Sequence, residues 1–180
     1  MQHECRTWQN SYLLELDELE SFLASTVNEA CVYWVAGKAV ACYVIGDVGV
    51  SDTDVLAGAC GQFHVFLSRA IPRELRYPVV VHEYYEMGSI LESIEVCPDQ
   101  VSFIMLRWQA HLKAIRQEAA AARQTGVKEE YCAFRTCLYD RNIARAGGAN
   151  SRLGQAYVMQ RDLFRRVCLQ DDGESSRAKC

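Results

Sequence analysis

Between Ser11 and about Asn28 the apolar residues Leu13, Leu16, Leu19, Phe22 and Leu23 recur at helical spacing among acidic ones, which predicts an amphipathic helix. The pattern then changes: β-branched and aromatic residues crowd into CVYWVA and AVACYVI, divided at Gly37-Lys38, and a β-hairpin is expected there. Residues 46–61, with Gly46, Gly49, Gly58, Gly61 and several aspartates, read as a loop without the glycine spacing of a phosphate cradle. Gln62–Ser68 (QFHVFLS) reads as a third strand. Pro78 suits the first turn of a helix, and the stripe Val80, Val81, Tyr84, Met87, Leu91 and Ile94 carries it to about Val96. Asp99 can cap a long helix that ends before Gly126. Two further helices, Lys128 to about Asn142 and Leu153 to about Leu169, flank an AGGANS loop. The expected class is α+β: an N-terminal helix, a small three-stranded sheet, and a helical C-terminal half whose first helix packs on the sheet.

The chain has 180 residues and a net charge of −4. One domain over residues 1–170 is expected, because folding at this length removes roughly 70% of the unfolded surface from water and needs no covalent staples. The polar tail 171–180 (DDGESSRAKC) is too hydrophilic to pack. Nine cysteines, odd in number and without a C-x-x-C, argue against a disulfide framework or a zinc ribbon and read as small buried hydrophobes. A polar start, MQHECRTWQN, and no apolar run of roughly 18 residues give neither a signal peptide nor a membrane span, so a reducing cytoplasm is expected. The slight acidity gives no general field for nucleic acid, although Arg161, Arg165 and Arg166 cluster in the last helix, where a solvated face explains them equally well.

The concentrated chemistry lies in VVVHEYYEMGS. His82 and Glu86 are four apart, hence one helical turn apart on one face, and Glu83 stands about 100° around the axis. Such a pair can grip one ion while the neighbouring carboxylate takes a proton from metal-bound water. A third ligand is offered by His111 in WQAHLKAIRQE, where Ala110 and Ala114 are small enough to let two helices approach. Glu118, two turns beyond His111, is expected to orient a ligand or substrate group from behind.

A short strand, a proline-marked connection, a helix with H-E-x-x-E at 82–86 and a following helix with A-H-x-x-A-x-x-x-E at 110–118 resemble the zincin-like metallopeptidases. The similarity spans roughly residues 60–120 and is to small uncharacterised bacterial and phage proteins of that description. It implies zinc held by His82, Glu86 and His111, Glu83 as general base, and a peptide or protein substrate. Glutamate at position 86 makes the donor set harder than two histidines would, which favours Mn2+ or Fe2+ more than a histidine pair does. Met105 precedes His111, so the Met-turn of one zincin subgroup is missing.

A bland alternative stands beside this one. Histidine flanked by glutamates on a solvated helix forms weak local pairs, and the chain would then be a non-enzymatic interaction or accessory protein of phage or mobile-element type. His64 alternates with Phe63 and Val65 and reads as a strand-surface residue.

Overall fold

The computed structural model describes residues 27–45, 53–57, 63–93 and 100–169. Strands β1 (Val27–Val35), β2 (Lys38–Ile45), β3 (Thr53–Ala57) and β4 (Phe63–Ser68) come first. After a 3-10 turn at Arg73–Leu75 follow helices α1 (Arg76–Ser93), α2 (Gln100–Gln124), α3 (Lys128–Arg145) and α4 (Arg152–Leu169). Strands therefore precede helices, and the α+β class holds. The expected helix at 11–28 lies, up to residue 26, outside the described residues, as does the tail; Val27 and Asn28 already belong to β1.

The hairpin turns at Ala36 and Gly37, with φ of 50° and 75°. Two consecutive positive φ values match the right-handed twist of the flanking strands. Glycine tolerates that conformation, whereas the Cβ of Ala36 makes it strained. The strand order is β1-β2-β4-β3, with β1/β2 and β3/β4 antiparallel and β2/β4 parallel. Beyond the three expected strands, the segment Thr53–Ala57 adds a fourth, within a stretch that reads as loop. Its glycine- and aspartate-rich surroundings carry little strand propensity. Pairing with β4, from Thr53 opposite Leu67 to Ala57 opposite Phe63, makes it a strand.

One face of the sheet is built from Val35, Val40, Cys42, Val44, Val65 and Leu67, all nearly inaccessible. Against that face lies α1, which packs on every strand and sets Tyr77 beside Tyr33, ring centroids 5.9 Å apart. Val79 and Val80 of α1 are buried with it. Two polar contacts tie the start of α1 to β1: Arg76 donates to Glu29 at 2.9 Å, and the Tyr77 hydroxyl donates to the Trp34 carbonyl at 3.3 Å. On the opposite face Val32 and Trp34 are exposed.

The described contacts divide the chain into two compact units, Met1–Ala114 and Ile115–Cys180, with the boundary inside α2. In the second unit α4 folds back along α3, and Tyr131, Tyr139, Ile143, Phe164 and Cys168 form the core. Gly147 and Gly148, both at positive φ, end α3 by returning their N–H groups to Ala144 and Ile143. Ser151 caps α4 by accepting from the Gly154 N–H at 2.9 Å.

Candidate metal centre

Helix α1 starts two residues before Pro78, which therefore sits in the first turn, where no hydrogen-bonded N–H is required of it. Val79, Val80 and Val81 bury the next turn, and this burial carries His82 inward to 2% exposure. Glu86, one turn on, lies on the same side. From α2, Ala110 and Ala114 are buried and flank His111, so no bulky side chain separates its imidazole from α1.

Both histidines meet one oxygen. His82 Nε2 lies 2.9 Å and His111 Nδ1 2.8 Å from Glu86 Oε2. The two rings stand edge to face with centroids 4.7 Å apart. Burial alone would raise the Glu86 pKa, but the hydrogen bonds from His111 and His82, reinforced by their charge, outweigh it and hold the carboxyl well below the usual carboxylate range. An ionised carboxylate only accepts, so both imidazoles present an N–H to it.

The donor set suits a divalent cation. One ligand atom from each of His82, Glu86 and His111 lies within 4.8 Å of the other two, and this is the group of three such donors among the described residues. Ligand bonds of about 2.0–2.2 Å in a tetrahedron separate neighbouring donors by roughly 3.4 Å. The contacts to Glu86 are shorter than that, as hydrogen bonds should be, so a cation would replace the two shared protons with modest side-chain rotation. His82 is nearly sealed from solvent, whereas the Glu86 and His111 side chains keep 17% and 16% exposure, which leaves an approach from that side.

Glu83 is half-buried beside His82 and is not one of the three clustered donors. Glu118, also outside the cluster, has no exposed surface: its Oε2 accepts from the Tyr131 hydroxyl at 2.7 Å, and Arg135 reaches Oε1 at 3.3 Å and Oε2 at 3.2 Å. Burial, followed by the Glu118 charge, pushes the Tyr131 phenol well above its ordinary pKa. Tyr131 and Arg135 were not singled out by spacing, although a signal exists. Arg135 interrupts the stripe Tyr131, Tyr139 and Ile143 on the buried side of α3, and Glu118 interrupts the buried alanines of α2. Two opposite charges on two apolar stripes point to each other. His64 stands at the sheet surface, stacked on Tyr43 with centroids 5.7 Å apart, and desolvation lowers its pKa.

No helix among the described residues is long and apolar enough to cross a membrane. Compared with known proteins, the chain matches no family model, no curated protein and no solved structure.

Proposed function

We propose that the protein is a metal-dependent hydrolase acting on a peptide bond, with His82, Glu86 and His111 holding one divalent ion and Glu83 serving as general base. The supporting observation is that groups from two helices, 25 residues apart for Glu86 and His111, share one carboxylate oxygen at hydrogen-bond distance. Bound there, zinc, or manganese or iron in this harder donor set, would polarise the scissile carbonyl and acidify a water. The chain's own residues do the rest. Glu86 contributes the negative charge that offsets half of a divalent ion's, and the two imidazoles fix its position without adding charge. Glu83 is anchored on the buried turn of α1 and takes the proton of the attacking water, then returns it to the leaving amine. The compartment that fits free cysteines is the cytoplasm.

Protein purified without a chelating tag is expected to carry about one equivalent of metal, lost in Glu86→Ala and in His111→Ala. Glu83→Gln should retain the metal and lose hydrolysis of a peptide library by about 10²–10⁴-fold, the usual contribution of a general base. A metal-free protein whose folding ignores these substitutions would instead be a non-enzymatic interaction protein, in which the two histidines and Glu86 form a hydrogen-bonded triad and nothing more.

A further inference from the structure

Cys31 and Cys42 face each other across the β1/β2 hairpin, directly opposite in register. Their side chains point to the α1 side of the sheet, next to each other on the face that carries Tyr33 and Val40. Cys42 is fully buried, while Cys31 is half-buried, so a reagent in solution meets the Cys31 sulfur first. Directly opposed residues of an antiparallel pair have Cα atoms about 4.5–5.5 Å apart, inside the roughly 4.4–6.8 Å that a disulfide accepts. Their Cβ atoms, about 4.5–5.5 Å apart, need to close by about 1 Å.

We propose that Cys31 and Cys42 are a two-electron modification site: a low-molecular-weight disulfide such as oxidised glutathione converts them to a cross-strand disulfide. The Cys31 thiolate attacks one sulfur of the oxidant, whose S–S bond breaks and releases one glutathione thiolate. Cys42 then loses its proton, and its sulfur displaces the second glutathione from Cys31. The dithiol is oxidised, the oxidant is reduced to two glutathione thiols, and the atoms balance. Burial, followed by the neighbouring Cys31, pushes the Cys42 thiol far up, which leaves the half-buried Cys31 as the sulfur that attacks first. The burial and the two thiols likewise push the Tyr33 phenol beside them up to about 12. The new bond would staple β1 between its two anchors to α1, Glu29 on Arg76 and the Trp34 carbonyl on Tyr77.

The test is titration of the full chain with glutathione redox buffers, acid quenching, alkylation and peptide mass spectrometry. The expected product is a reducible peptide pair joined through Cys31 and Cys42, absent in Cys31→Ser and in Cys42→Ala, with the thermal midpoint of the oxidised chain higher by a few degrees and restored by dithiothreitol. Circular dichroism checks the variants, and if Cys42→Ala fails to fold, Cys31→Ser at the half-buried position carries the same comparison. A lasting glutathione adduct on Cys31 with Cys42 still alkylated after unfolding would overturn the proposal, as would both cysteines remaining free in the most oxidising buffer.

Discussion

Glu86 and Glu118 are both carboxylates withdrawn from water, yet they are neutralised in different ways. Glu118, with no exposed surface, is met by a guanidinium and a phenol, Arg135 and Tyr131. Arginine stays charged at any pH a protein survives, so the cation that faces Glu118 is a permanent one. Glu86 is met by two imidazoles, His82 and His111, whose N–H protons can be exchanged for a metal ion. The first arrangement holds a core together; the second is one in which a cation could take the place of protons. Burial of a carboxylate is thus not in itself a sign of function. What separates the two is whether the neutralising groups can let go.

That contrast can be broken most directly at Arg135. Arg135→Met leaves Glu118 buried without its cation and is expected to cost about 3–5 kcal/mol in denaturant unfolding. The double variant Arg135→Met with Glu118→Leu should recover most of that loss, because no charge is then stranded. Equal stabilities for the single and double variants would show that the pair is not coupled. Next in size is ligand-linked stabilisation at the other carboxylate. Zinc at 100 times its dissociation constant should raise unfolding free energy by about 2.7 kcal/mol, absent in His111→Ala and intact in Tyr131→Phe. Stabilisation by zinc that survives His111→Ala would place the ion elsewhere.

Smaller effects sharpen the comparison. Tyr131→Phe removes one hydrogen bond to a charged acceptor while Arg135 remains, and should cost about 1.5–3 kcal/mol in the same unfolding assay. At Ala36, where φ is 50°, Ala36→Gly relieves strain without touching either cluster and should stabilise by up to about 1 kcal/mol. His64 is an imidazole with no carboxylate partner among the described residues, and burial lowers its pKa from 6.5. Its folded pKa lies below its unfolded one, so the unfolded chain binds more protons between the two values. Its contribution to stability is therefore complete above about pH 6.5 and falls as pH drops through that window toward the folded pKa. A nuclear magnetic resonance titration should give a His64 midpoint below 6.5, and a midpoint above it would refute the assignment.

Much of this was legible from patterning. The hairpin, the strand before the 3-10 turn and all four described helices follow from runs and stripes in the chain, with helix ends shifted by a few residues. β3 was not legible: Asp54 and Thr53 beside glycines look like loop, and the strand exists through its partner β4. The partners of Glu118 were hidden for a related reason, since Tyr131 and Arg135 are 13 and 17 residues away on another helix. The facing of Cys31 and Cys42 depends on hairpin register, which the turn at Ala36-Gly37 sets and which the expected division one residue later did not give.

The sequence by itself determined that His82 and Glu86 share a helix face, because four residues make one turn whatever the surroundings. It likewise determined, through the small residues around it, that His111 sits where another helix can come close. Tertiary structure decided that both imidazoles converge on the same oxygen of Glu86, and that Glu118 meets Arg135 instead of solvent. Periodicity encodes relations within an element through backbone geometry. Meetings between elements depend on how apolar faces bury one another, and that choice is made by the whole chain at once.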